Sequence, residues 1–350
     1  MNIRLLGVFL GLCFCLSLTA QDEHFSQFFA IPMHMNPALT GAYEGTYRMN
    51  LVYRSQWGSS FPTPFRTVAV GGDTRIPIKF RKKKSGDHLG VGLLFVNDEV
   101  AEFQASANKL SVYSSYHKKL GKKNKSFLGA GVTIGLIQRN INYANLTFQD
   151  QFNQLDGFTL VSNELFPPNN FGRVDVSIGI NYFVELPNST YYIGGGYHHI
   201  TSPSFSYFNQ LDPPPSDVDV SQVLKEKLTL HFSLDRKLNY EWNLQPRVIY
   251  QNQGVHNQLD LGTNLEYTFK SRNTSLYFGL WATGLSDLSG FHVENITPLF
   301  GVRQGQFIVG LSYDIHTRDI FDSVFGYDTF ELSIRFSGVH ENSSGFCPTF

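Results

Sequence analysis

The sequence predicts an all-β fold, a transmembrane antiparallel β-barrel of about fourteen strands with long loops on one rim. Three observations carry this. Between Asp175 and Glu185, Val176, Ile178, Ile180, Tyr182 and Val184 alternate with Asp175, Ser177, Gly179, Asn181 and Glu185, Phe183 being the one exception. A period of two sends successive side chains to opposite faces of a sheet, one greasy and one polar and small. Charged residues make up only 16% of the chain and aromatics 15%, whereas an ordinary soluble domain is about a quarter charged. After the first twenty residues, no apolar run reaches the roughly 18–20 residues of a helical span. For an exported chain of this kind the closed barrel is the membrane architecture that remains. The soluble alternative is a large exported β-sandwich or propeller. The lack of a repeat with a 20–50 residue period disfavours the propeller.

Residues 1–20 read as a secretory signal peptide, with Arg4 in a short polar start, Leu5–Leu18 as the apolar region and Ala20 before Gln21. Cys13 and Cys15 lie inside that run behind Leu12 and Phe14, which is not the small-residue context of a lipoprotein. Cleavage leaves Cys347 alone, so neither an intramolecular disulfide nor a cysteine zinc site holds the fold. Residues 21–45 mix large apolar and polar groups without alternation. They are expected to fold into or across the lumen as a partial plug, with Asn36-Pro37 starting a turn. The alternative is a periplasmic segment packed on the rim.

The barrel is expected over residues 46–336. Thr46–Ser55 turns Tyr47, Met49, Leu51 and Tyr53 outward and Arg48, Asn50 and Arg54 inward. Arg66–Pro77 is a weaker strand. His88–Asp98, Gln104–His117 and Ser126–Ile137 follow, the last setting Leu128, Val132, Ile134 and Leu136 against Gly129, Gly131, Thr133 and Gly135. Then come Asp175–Glu185, Thr190–His199, Lys225–Lys237, Glu241–Gln251, Asn257–Phe269, Thr274–Thr283, Asn295–Arg303, Gln306–His316 and Thr329–Phe336. Strands of about 9–12 residues suit a tilted bilayer crossing, and aromatic residues near their ends suit interfacial girdles. Residues 337–350 form a tail, either a periplasmic contact or a loose end.

Short turns at 237–240 and 270–273 contrast with long polar stretches at 138–171 and 202–224, which are the first places to seek a recognition surface. Arg48, Arg54, Arg247, Arg303 and Arg335 fall on the polar faces of their strands, as lining of a hydrated bore or of a selective constriction. The net charge of −1 gives no basic footprint for nucleic acid. Lys82-Lys83-Lys84 and Lys118–Lys123 are solvated turns or contacts for anionic headgroups. His198-His199 with Asp212 or Glu226, and Ser202 or Ser204, suggest an acid–base group and a nucleophile. However, no Gly-x-Ser-x-Gly elbow or His-Glu-x-x-His helix accompanies them, and adjacent strand histidines are expected to point apart. The acids of Asp150–Gly157 lack calcium-loop spacing. No catalytic, cofactor-binding or metal-binding residue is expected, and no particular residue is assigned to partner binding.

The stretch from Asp22 to Phe29 reads DEHFSQFF. Met35–Gly41 reads MNPALTG, Tyr53–Trp57 reads YRSQW, Leu146–Gln151 reads LTFQDQ, and the end is Cys347-Pro348-Thr349-Phe350. This combination resembles the PorP/SprF family of outer-membrane proteins associated with the type IX secretion system of Bacteroidota. The stretch after Trp57 fits only loosely. The resemblance implies a non-enzymatic outer-membrane barrel that helps to export or display secreted proteins, in some members gliding adhesins. The partners implied are a cargo protein with a type IX C-terminal domain and periplasmic and outer-membrane components of the machine, alongside outer-membrane lipid. The competing function is a pore for small solutes, and a barrel-embedded hydrolase is a third class.

Overall fold

The computed structural model describes residues 22–339 except 44, 59–62, 81–82, 101–104, 122–124, 215–220, 270–272, 288–289 and 318–327. The expected signal peptide and the tail beyond 339 lie outside the described residues. Fourteen strands form one closed barrel in which each pairs antiparallel with its sequence neighbours and the first pairs with the last. They are β1 Tyr47–Gln56, β2 Phe65–Phe80, β3 Lys83–Val100, β4 Ala105–Leu120, β5 Lys125–Ile141, β6 Asn170–Leu186 and β7 Ser189–His198, followed by β8 Lys227–Lys237, β9 Trp242–Gln253, β10 His256–Thr268, β11 Thr274–Asp287, β12 Gly290–Gln304, β13 Phe307–His316 and β14 Thr329–Gly338. Closure pairs backbone groups across every seam, which is what a sheet in hydrocarbon requires.

All fourteen expected strands are present, and several are longer than their apolar alternation. β5 runs on to Ile141 and β6 starts at Asn170, so the long connection shrinks to 142–169. The reason lies on the outer face. Beyond Leu136 the outward positions become Gln138 and Asn140, and opposite them stand Gly172 and Asn170. The ladder continues after the lipid-facing apolar residues stop. The Gln138 amide donates to Asn170 Oδ1 at 3.1 Å in this polar collar. β14 likewise continues to Gly338, past Phe336.

Leu93, Ile134, Ile180 and Leu280 are 52–60% exposed although each sits mid-strand. Exposure of large apolar side chains on strand after strand is a hydrocarbon-facing belt rather than a soluble surface. Both β1 and β14 meet one rim, where Tyr47 pairs with Gly338. The tight turns 187–188, 238–241 and 305–306 share it, and we call it the short-turn rim. The opposite, long-loop rim carries connections 142–169 and 199–226.

The inner face departs from a uniformly polar lining. Val52, Ala69, Leu94, Val96 and Tyr113 form one buried apolar patch. Phe127, Phe183, Tyr192, Ile249, Tyr277, Trp281 and Leu299 belong to a second. Phe183, the break in the β6 alternation, is fully buried and stacks on Phe127 at 4.8 Å. Both patches exist because residues 22–43 lie in the bore and need apolar partners there: Phe25, Ile31 and Met33 pack on the first, and Phe28, Met35 and Leu39 on the second.

Candidate functional site

Residues 22–43 run from the long-loop rim to the short-turn rim through the bore. Near the long-loop rim, the Asp22 amide donates to Gln253 Oε1 at 3.2 Å, and its carboxylate accepts from Lys227 Nζ. Asp22 Oδ2 also lies 3.2 Å from His199 Nε2, whose Nδ1 is 3.1 Å from Asp175. Lys109 Nζ stands 3.8–3.9 Å from Asp22, Glu23 and Asp175, and Glu23 meets His34 at 3.0 Å. Asp22, Glu23 and His34 converge closely enough to suit a cation. Lys109 and Lys227 already neutralise these acids, so the network closes on protein charges alone.

Further along, Glu331 takes the backbone amides of Ser26 and Gln27 at 3.0 and 2.8 Å. Arg54 contacts Glu331 at 3.2 Å and Asp314 at 3.4 Å, and donates to Ser26 Oγ at 2.7 Å. The Gln27 amide is fixed at both ends: its nitrogen donates to Ser312 Oγ, and its oxygen accepts from Ser333 Oγ. A buried charge is tolerable only when paired and hydrogen-bonded; here Glu331 and Asp314 share Arg54, and the Ser26 and Gln27 amides and the Ser26 hydroxyl supply the remaining hydrogen bonds.

The segment then makes a short helix, α1 (Pro32–Met35), and a 3-10 turn, Pro37–Leu39. Asn36 caps the turn by accepting the Ala38 amide at 2.9 Å, and its own amide donates to the Ile180 carbonyl at 3.0 Å. This stretch lies across a lateral row of the wall. Gly90 is in register with Ser115, Ser115 with Gly131, Gly131 with Gly179, and Gly179 with Gly196. A Cβ at Gly90 would collide with the Thr40 carbonyl, one at Gly131 with the Pro37 backbone, and one at Gly179 with the Asn36 side chain. Glycine in a strand interior marks close approach of another backbone, and here that backbone is the chain's own. At the short-turn end, the Thr40 carbonyl accepts from Ser115 Oγ at 2.6 Å and lies 2.8 Å from His117 Nε2.

The arginines expected to line the bore do face inward, with distinct partners. Arg48 pairs with Asp73, Arg54 with Asp314 and Glu331, and Arg303 with Glu266 at 3.1 Å. Arg247 lies over the Phe29 ring at 4.8 Å and donates to Gln245. At the short-turn rim a cavity of about 730 Å³ opens among Lys125, Asp235, Tyr240, Trp242, Glu266 and Arg303.

His198 and His199 do not point apart. β7 ends at His198, and His199 takes a left-handed backbone with φ 59°, which turns its ring inward as well. Both are buried: His198 lies 3.1 Å from the Met35 carbonyl, and His199 holds Asp22 and Asp175. Ser202 Oγ donates instead to Glu226 at 2.8 Å, and Ser204 Oγ accepts from Asn209. Among the described contacts neither serine hydroxyl is bonded to a histidine ring; Ser202 meets His199 only through its backbone N–H, which donates to the His199 carbonyl at 2.8 Å. Lys118 and Lys119 end β4 at the short-turn rim, whereas the side chains of Lys82, Lys83 and Lys84 lie outside those described.

Connection 142–169 is organised by its own polar groups. The Asp150 carboxylate accepts from Ser162 Oγ and from the Asn163 amide at 2.6 Å, and Asn153 Oδ1 accepts from the Leu155 and Asp156 amides. Asp150 is therefore a brace within the loop. The alternation had marked the wall but not this seat. The inward glycines were its sequence signal, because serine or alanine would have served a merely polar lining.

Among solved structures the CymD monoaromatic hydrocarbon channel is similar at 12% identity, with TM-score 0.48, covering 89% of this chain and 94% of that one. The Ralstonia pickettii toluene transporter TbuX is similar at 11% identity, with TM-score 0.48 and 88% and 94% coverage. A Pseudomonas aeruginosa FadL homologue is similar at 12% identity, with TM-score 0.47 and 86% and 92% coverage. At these identities the likeness is one of barrel fold alone. No curated protein matches the chain. The family model of the type IX secretion system membrane protein PorP/SprF matches residues 17–336, and the chain belongs to that family, an outer-membrane component of type IX secretion.

Proposed function

We propose that this barrel docks an exported cargo protein at the outer membrane and helps the type IX machinery to export or display it. The cargo would carry a type IX C-terminal domain and be of adhesin or gliding-motility type. Residues 1–20 direct export, and cleavage before Gln21 frees the segment that enters the bore. Short turns of outer-membrane barrels face the periplasm and longer loops face outside. The short-turn rim then meets periplasmic components of the machine, and connections 142–169 and 199–226 meet the cargo. Family membership supports this reading, and one observation carries it against a solute pore. The bore is crossed rim to rim by residues 22–43, whose ion pairs, turn and glycine-row contacts are those of a built seat.

The segment acts here as a plug, and the wall as a rigid scaffold presenting loops. The runner-up is a channel like those that the structural neighbours are named for, with the segment as a movable hatch. Planar-bilayer recording of purified full-length protein separates the two. Docking expects little steady conductance, rising when residues 21–40 are deleted, together with recovery of a type IX cargo on the barrel in gentle detergent. Steady solute-permeable conductance of the intact chain, with no cargo recovered, would overturn it.

A further inference from the structure

Connection 142–169 is a structured loop that presents large apolar side chains to water. Phe152 and Phe158 face each other in a β-bridge, the Asn153 amide donates to Gly157, and Leu160 N–H donates to Gln151. Phe166 packs on Tyr143 and Phe148 within the loop, and with Asp150 bracing Ser162 and Asn163 the backbone is held while the apolar side chains nearer the tip stay uncovered. Leu155 and Val161 are each 89% exposed, and Leu165, Phe158 and Leu160 are all above half. These side chains are not part of the lipid-facing belt. The polar collar of Gln138, Asn140 and Asn170 stands between Leu136 and the loop. A preformed apolar surface outside the belt, at the rim with the longest connections, is the kind of patch that marks a contact site.

Its charge chooses among partners. From 142 to 169 the chain carries Asp150, Asp156 and Glu164 and no lysine or arginine. The arginines at its base are engaged below it, Arg139 over the Phe205 ring and Arg173 over the Phe171 ring. An anionic headgroup surface would be repelled by such a loop, and a second copy would bring the same negative charge.

We infer that connection 142–169 is a docking element for a protein segment combining apolar side chains with lysine or arginine. The inference rests on the docking reading above and specifies the partner surface that the loop takes. Leu155 and Val161 anchor the apolar contact, and Asp156 and Glu164 select the cationic flank.

The test places a photoreactive benzoylphenylalanine at Leu155 or Val161, with Ile134 as the lipid-facing control, and irradiates intact cells. The crosslinked product is then sequenced by mass spectrometry. The expected product is a peptide of an exported protein with lysine or arginine near the crosslink. The yield at Leu155 should fall about tenfold in a D156K/E164K background, and partner recovery on the otherwise unmodified barrel about tenfold in L155S/V161S, a loss of roughly 1.4 kcal/mol. Both variants should keep the gel mobility of the folded barrel before heating. Crosslinks to lipopolysaccharide, to a second copy, or at the level of the Ile134 control would overturn the inference. Cargo co-isolating undiminished with L155S/V161S would remove this loop and leave the docking reading standing. Absence of any cargo from the wild-type barrel would remove both.

Discussion

Arg48 and Asp73 stand opposite one another across β1 and β2 and join in a bidentate pair, Nε to Oδ1 and Nη2 to Oδ2, both at 2.8 Å. Both side chains are essentially buried, and the pair also anchors the bore segment. Asp73 Oδ2 accepts the Gly41 amide at 2.7 Å, the Tyr43 hydroxyl donates to the Asp73 carbonyl, and the Tyr43 ring covers the guanidinium at 4.4 Å. Removing one member of a buried pair costs about 3–5 kcal/mol, whereas apolar replacement of both is often near neutral. Arg48→Met should therefore lower barrel stability strongly, and R48M/D73L should recover part of it, the remainder being a loss of about 1–3 kcal/mol because D73L leaves the buried Gly41 amide without its acceptor. Urea unfolding in lipid vesicles checks this, and equal loss in single and double variants would contradict it.

The glycine row makes a separate prediction. Gly131→Val or Gly179→Val puts carbon where the Pro37 backbone or the Asn36 side chain now lies, and overpacking of this kind costs about 1–3 kcal/mol. The bore segment, rather than the wall, should give way. Protease cleavage between residues 36 and 43 should rise while the barrel keeps its heat-modifiable mobility. Gly172→Ala is the control, because its added carbon meets Leu136 only at ordinary contact distance.

How much of this was legible in the residues follows from range. The wall could be read because alternation is local: Leu89, Val91, Leu93 and Phe95 announce their shared face within seven positions. The strand extensions could not, because outside the belt Gln138 and Asn140 carry no apolar signal although the ladder continues through them. His199 was misread because a left-handed residue at a strand end reverses a face assignment, and that backbone is uncommon for any residue other than glycine. The arginines' inward direction was readable, but their partners were not. Arg54 and Glu331 meet only when the first and last strands close the barrel. Phe183 carried more information than its place as an exception suggested: an aromatic on the small, polar face needs something in the bore to pack on.

Asp22 should hold the outer end of the segment separately from the glycine row. Its carboxylate receives Lys227 and faces His199, and hydrogen bonds to charged groups contribute about 1.5–3 kcal/mol each. Asp22→Ala should therefore raise amide exchange over residues 22–28 by roughly ten- to a hundredfold. The Pro37–Leu39 turn should stay protected. Exchange rising equally along the whole segment would mean that it opens as one unit, and that the two anchors are not independent.

The belt and the long-loop rim should respond oppositely to one substitution. Ile134 lies near the middle of β5 on the outer face and is 59% exposed, so Ile134→Arg places a guanidinium in hydrocarbon at a cost of about 2–4 kcal/mol. Leu155 is more exposed still, but it sits in connection 142–169 beyond the polar collar. Leu155→Arg should change stability by no more than about 0.5 kcal/mol. Folding free energies into phospholipid vesicles, followed by tryptophan fluorescence, compare the two directly. Similar costs at both positions would place the loop in the bilayer and remove the distinction between belt and contact surface. A negligible cost at Ile134 would remove the belt itself, because an outward face that accepts arginine at mid-strand is not facing lipid.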